Sequence, residues 1–108
     1  MFKGVRVHEE GLIEWLRESH DNQREYLKAQ LEENGDAPQV IISAIRDIAQ
    51  ARGYETLAAE AGLSQKALYK ILDENKESKP RFETVFQLIQ ALGLRMTVED
   101  QPKKTIAS

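Results

Sequence analysis

The fold of this 108-residue chain is decided by residues 54–72, which read YETLAAEAGLSQKALYKIL. Two helices that cross steeply over a short turn need a small residue at the crossing and a turn residue that tolerates positive φ. Ala58 and Gly62 stand at that spacing, and Ser64 can cap the second helix. The residues predicted to shape the corner are Leu57, Ala58, Ala61, Gly62, Leu63, Leu68 and Ile71.

This pattern predicts a helix-turn-helix, in which the first residues of the second helix reach base edges in the major groove. Gln65 suits adenine and Lys66 suits guanine, whereas Tyr69 and Lys70 suit phosphate or sugar. The predicted DNA-binding residues are Ser64, Gln65, Lys66, Tyr69, Lys70, Lys76, Lys79 and Arg81. Any two-helix corner also needs small residues and a glycine, so an ordinary helical corner is the alternative.

Apolar residues recur at helical spacing in four further segments. They predict helices near residues 9–19, from an Asp21 cap to Asn34, from Pro38 to Arg52, and from Phe82 to Leu92. For the helix that starts at Pro38, Asp36 is the expected N-cap and Gln39 the far half of a capping box.

Residues 94–99, LRMTVE, alternate between apolar and polar and therefore predict a short strand. A lone strand needs a partner for its backbone and its apolar face. Three partners are open: residues 2–7 of the same chain, residues 94–99 of a second subunit, or the edge of another protein. We expect the strand to contribute to a homodimer through Leu94, Met96 and Val98.

The charge of the chain is unevenly distributed. The net charge is −3, and residues 1–51 hold six Lys/Arg against ten Asp/Glu, whereas residues 52–81 hold six against five. The acidic half lies outside the predicted DNA-binding segment, which hints at a basic partner, although a solvated acidic face is the simpler interpretation. There are no cysteines, so disulfides are excluded and a cytoplasmic protein is expected. No apolar run approaches the roughly 20 residues that span a bilayer.

The composition offers no chemistry for catalysis. His8 and His20 are the two histidines and do not stand at metal-ligand spacing. No nucleophile–base pair or phosphate-binding loop is present, so we expect no enzyme activity, cofactor or metal. Trp15, with Leu12 and Leu16, is either part of the core or an anchor for a partner.

The chain resembles the lambda-repressor-like helix-turn-helix superfamily and, more narrowly, the HigA-like addiction-module antidote proteins. The matching stretches are residues 26–36, 45–53 (IRDIAQARG), 57–69 and 91–98 (ALGLRMTV). The resemblance implies an antitoxin of a type II toxin–antitoxin pair. Such a protein dimerises, represses its own operon by binding double-stranded operator DNA, and neutralises a small basic toxin of the RelE/ParE-like fold.

The expected fold is therefore all-α, a helix-turn-helix bundle with a short C-terminal strand. Residues 1–35 form an N-terminal arm and packing helices, residues 36–93 the DNA-binding bundle, and residues 94–108 a dimerisation strand and tail. Two other functions stay open: a transcriptional regulator without a toxin, and a protein-binding module with little affinity for DNA. The salt dependence of DNA binding separates the latter from the other two.

Overall fold

A computed structural model of the protein describes residues 9–34, 37–73 and 81–101. Within these ranges it contains six α-helices and no strand: α1 Glu9–Glu18, α2 His20–Asn34, α3 Pro38–Arg52, α4 Tyr54–Ala61, α5 Gln65–Ile71 and α6 Phe82–Ala91. The prediction of an all-α fold is thus confirmed for the described residues. None of these helices is long and apolar enough to cross a membrane.

Helix α3 forms the centre of the fold because most of its apolar stripe is buried. Ile45, Ile48 and Ala49 have no exposed surface, and helices α1, α2 and α4 all pack on α3. The largest fully buried side chains are Leu16, Ile45, Ile48, Leu57, Leu68, Leu72, Leu88 and Leu92. Trp15 is half-buried and packs against this core, as the first of its two interpretations predicted.

Two of the predicted helix caps are different in the structure. The Ser19 hydroxyl accepts a hydrogen bond from the Asn22 N–H at 3.1 Å. Because Ser19 directly precedes α2, it occupies the N-cap position that was predicted for Asp21. Ala37 stands at the N-cap of α3 without a side-chain bond, so the capping box with Gln39 does not form, and Asp36 lies outside the described residues.

The side chain of Arg52, the last residue of α3, joins three other helices. Its Nε donates to Gln23 Oε1 of α2 at 2.7 Å, and its Nη1 donates to Glu60 of α4 at 2.8 Å. Its Nη2 lies 3.0 Å from the Leu92 carbonyl oxygen, just after α6, and 3.1 Å from His20 Nδ1. Only 15% of the Arg52 side chain is exposed.

Gln23 extends this network of hydrogen bonds to α1. It is the buried polar side chain of the core, and its Nε2 donates to the Leu16 carbonyl at 3.0 Å. A second polar link joins α2 to α3, where the Tyr26 hydroxyl donates to Asp47 Oδ2 at 2.7 Å. Burial, followed by this hydrogen bond, raises the pKa of Tyr26. The hydroxyl therefore stays protonated and able to donate.

The predicted strand at residues 94–99 is not seen. The Leu94 N–H still donates to Ile89 at the end of α6, at 3.2 Å. Beyond Leu94, the backbone of residues 95–101 makes no hydrogen bond to the backbone of any other described residue. A strand exists only as part of a ladder with a neighbour, and the described chain offers it none. Residues 2–7, one of the expected partners, lie outside the described residues.

We expect Arg52→Ala to lower the free energy of unfolding by about 2–4 kcal/mol, because it leaves the buried Gln23 oxygen and the Leu92 carbonyl without their charged donor. Urea denaturation followed by circular dichroism measures this change. Arg24→Ala is the control, since Arg24 lies on the surface of α2 with Asp21 and Glu25 and should have little effect. Equal midpoints for the two variants would contradict the central role of Arg52.

Candidate nucleic-acid interface

The turn between α4 and α5 depends on Gly62. This residue has φ 72° and ψ 29°, the left-handed conformation. Its N–H bonds to the Ala59 carbonyl at 3.2 Å, and the next N–H, of Leu63, bonds to the Ala58 carbonyl at 2.9 Å. This pair of bonds is the Schellman motif, which satisfies the last carbonyls of a helix. The chain therefore leaves α4 abruptly and starts α5 after a turn of three residues.

Helix α5 is held at both ends by side chains. Ser64 is extended, and its hydroxyl accepts a hydrogen bond from the Ala67 N–H at 3.0 Å, as the sequence predicted. At the other end, Arg46 Nε of α3 donates to the Leu72 carbonyl at 2.6 Å. Since an isolated helix of seven residues is unstable in water, these bonds and the buried Leu68 fix its position.

The apolar residues predicted to shape this corner converge on the core. Leu57, Ala58, Ala61 and Leu68 are buried, and Leu63 and Ile71 are half-buried against them. Helix α6 supports the corner from behind, because Gln87 Nε2 donates to the Ala61 carbonyl at 2.7 Å. The small side chains of α4 thus allow the close packing on which the corner depends.

The polar residues predicted to bind DNA form the outer face of α5. Ser64, Gln65, Lys66 and Lys70 are all exposed. Arg81 stands directly before α6, and its side chain is 81% exposed. Lys76 and Lys79 lie outside the described residues. The structure therefore places Gln65, Lys66, Tyr69 and Lys70 on one short helix, with Ser64 at its N-cap, and Arg81 on a separate segment.

Tyr69 differs from its neighbours because it stacks on another ring. Its centroid lies 4.2 Å from that of Tyr54, and the two planes differ by 4°. Tyr54 begins α4 and Tyr69 lies in the last turn of α5, so the stack joins the two helices at the surface. Tyr69 is still 54% exposed. The sequence analysis did not predict this contact of Tyr54. The position of an aromatic residue at the start of the first helix of the pair was a signal that could have indicated it.

A groove of about 710 Å³ lies on another side of the molecule, between α2 and the segment after α6. Leu27, Leu31 and Ile89 line its apolar part, and Leu94 and Met96 border it. Of the residues predicted at the dimer contact, Leu94 is half-buried, Met96 is 41% exposed and Val98 is 93% exposed. Among the described residues, no group of His, Cys, Asp and Glu is arranged to hold a metal ion.

Helices α1 and α2 present an acidic surface. Their exposed carboxylates outnumber their basic side chains, Arg17, Arg24 and Lys28. The exposed acidic residues are Glu14, Glu18, Asp21, Glu25, Glu32 and Glu33. Asp21, followed by Glu25, raises the pKa of Arg24 through hydrogen bonding, so one basic side chain on this surface is already paired.

Comparison with known proteins identifies relatives over most of the chain. The sequence profile of a family described as "Probable addiction module antidote protein" matches residues 10–100. An uncharacterized protein of Haemophilus influenzae (strain ATCC 51907 / DSM 11121 / KW20 / Rd) is 39% identical over 74 residues, which cover 68% of this chain and 72% of that protein. No solved structure matches.

We expect Gly62→Ala to lower the free energy of unfolding by about 1–2 kcal/mol, the cost of a left-handed alanine. No atom outside the neighbouring residues lies within 4 Å of an added Cβ, so backbone strain is the main cause. Gly62→Asn is the matched control, because asparagine tolerates this conformation better. Thermal unfolding of both variants tests the turn, and an alanine variant as stable as the asparagine variant would contradict it.

Proposed function

The chain belongs to the family of probable addiction module antidote proteins, and we propose that it is the antitoxin of a type II toxin–antitoxin pair that binds and represses its own operon as a homodimer. The observation that carries the DNA-binding part is the outer face of α5, where Gln65, Lys66 and Lys70 are exposed on a helix fixed by caps at both ends.

Helices α4 and α5 are proposed to act as a lambda-repressor-like helix-turn-helix of the HigA-like kind. In such a motif the start of the second helix enters the major groove. Gln65 and Lys66 open α5 and are assigned to base edges, because a glutamine amide matches adenine and a lysine donates to guanine. Lys70 and Tyr69 lie further along α5 and are assigned to the sugar–phosphate backbone.

The tyrosine stack supports this assignment. A stacked ring has fewer accessible rotamers, so Tyr54 holds Tyr69 at the edge of the exposed face of α5. The hydroxyl of Tyr69 then meets a phosphate or sugar with little further loss of entropy. Lys76, Lys79 and Arg81 follow α5 in the sequence and are assigned to the flanking backbone.

The acidic surface of α1 and α2 is the proposed contact for a toxin. A toxin of the RelE/ParE-like class is small and basic, and opposite charges steer association and suppress wrong partners. This surface lies on helices other than α4 and α5, so the proposed toxin contact and the proposed operator contact use different surfaces of the protein. The alternative function, a transcriptional regulator without a toxin, does not require a basic protein partner.

We expect tight, salt-sensitive binding to DNA from upstream of the protein's own gene, measured by fluorescence anisotropy at several salt concentrations against a scrambled duplex. Lys70→Ala should weaken binding to all sequences and reduce the salt slope by about 1, since one phosphate contact is lost. Gln65→Ala should relax the preference at one base pair, at a cost of about 1–3 kcal/mol.

Lys28→Ala is the control for this experiment. It removes the same charge from the exposed surface of α2, away from α5, and should leave the salt slope unchanged. If Lys28→Ala and Lys70→Ala weaken binding equally, α5 is not the DNA-binding helix. A folded protein with no affinity for the upstream sequence would refute repression and favour a protein-binding module.

We expect a small basic protein encoded next to this gene to co-purify with the chain. Glu14→Lys/Glu18→Lys should weaken this complex, because the two exposed carboxylates lie one turn apart on α1. Glu55→Lys/Glu83→Lys changes the net charge equally on α4 and α6 and should have a much smaller effect. Isothermal titration calorimetry measures both. A complex that tolerates the first variant as well as the second would show that the toxin binds elsewhere.

A further inference from the structure

In the segment that follows α6, the backbone is unpaired and apolar side chains alternate with polar ones. Beyond Leu94, residues 95–101 make no hydrogen bond within the described backbone. Leu94, Met96 and Val98 alternate with Arg95, Thr97 and Glu99. Alternation with period two places the apolar set on one face of an extended chain and the polar set on the other. The segment therefore has the properties of a strand that still needs a neighbour.

We propose that residues 95–99 of two copies pair as an antiparallel ribbon whose twofold axis passes through Thr97. This inference rests on the homodimer of the proposed function and specifies its register. In this register Arg95 lies opposite Glu99 of the second copy, and Glu99 lies opposite Arg95 of that copy. Two cross-strand ion pairs then flank a central Thr97–Thr97 pair, and both kinds of pair stabilise a sheet.

Other registers lose this complementarity. If the twofold axis lies between two residues instead of passing through one, polar side chains of one strand stand opposite apolar side chains of the other, and the two faces of the ribbon are mixed. An axis through Met96 places Arg95 opposite Thr97, and an axis through Val98 places Thr97 opposite Glu99. An axis through Arg95 or Glu99 brings two like charges together, which is unfavourable. Within residues 95–99, Thr97 is thus the position that pairs both charges and keeps the two faces separate.

The apolar face of this ribbon explains the exposure of two side chains. Met96 is 41% exposed and Val98 is 93% exposed. With the axis at Thr97, Met96 of each copy lies opposite Val98 of the other. The four side chains form one patch, so the most exposed large apolar residue of the segment gains a neighbour in the dimer.

The groove beside α2 provides a surface on which the ribbon can pack. A two-stranded ribbon by itself is marginal in water and needs a helix against one face. The groove has a volume of about 710 Å³, and Leu27 and Leu31 of α2 line it together with Arg95, Met96, Thr97 and Glu99 of the segment, whereas Val98 does not. Leu31 is 36% exposed in the single chain, so the wall has apolar area left to bury.

Single-cysteine variants of the full-length protein test the register, because the natural chain has no cysteine. Directly opposite residues have Cα atoms about 4.5–5.5 Å apart, within the range of a disulfide. Thr97→Cys should therefore form a covalent dimer under mild oxidation. Arg95→Cys and Glu99→Cys should each stay monomeric on a non-reducing gel but cross-link when mixed. Gln90→Cys, exposed on α6, controls for random collision.

Charge reversal gives an independent readout by sedimentation. Arg95→Glu places like charges opposite each other and should weaken dimerisation on the order of tenfold. Arg95→Glu/Glu99→Arg exchanges the two charges and should restore it. Both side chains are exposed, so the variants should fold, and circular dichroism checks this. A double variant that dimerises no better than the single one would overturn the pairing.

The outcomes separate this inference from the proposed function. If cross-linking occurs at Met96→Cys or Val98→Cys rather than Thr97→Cys, or if the protein is monomeric at all concentrations, the proposed register is wrong. Operator binding can persist in that case. If Thr97→Cys cross-links but no DNA is bound, the ribbon stands and the repressor function fails.

Discussion

The structure depends on one largely buried cation at the end of the central helix. Arg52 has five donors in a planar fork, and it uses them on α2, on α4 and on the chain just after α6. A lysine at this position would present a single point charge and reach fewer of these acceptors. Because Gln23 extends the network to α1, hydrogen bonds that start from this one side chain link five of the six helices.

The same constraint explains how two very short helices can form a defined surface. Helices α4 and α5 have eight and seven residues, too few to be stable alone. Arg52 holds α4 through Glu60, and Arg46 holds the end of α5 through the Leu72 carbonyl. Both arginines belong to α3, so the central helix orients the two short ones.

Much of this arrangement could be predicted from the sequence because it is local. Helix periodicity, the glycine of the turn and the Ser64 cap all depend on residues a few positions apart. The contacts made by Arg52, Arg46 and Tyr54 join segments that are distant in the sequence. Such contacts cannot be predicted from the spacing of residues along the chain. The strand is not seen in the single chain for a related reason, since alternation describes the faces of residues 94–99 but not the neighbour with which they would pair. The N-cap of α2 was misplaced by two residues because Ser19 and Asp21 are both good caps.

The separation between the core and the outer face of α5 has an evolutionary consequence. Gln65, Lys66 and Lys70 are exposed and contribute almost nothing to the buried cluster, whereas Leu68 on the same helix contributes fully. Substitutions at the three polar positions can therefore accumulate without loss of stability. Related chains can therefore differ at this face while every one keeps the same scaffold.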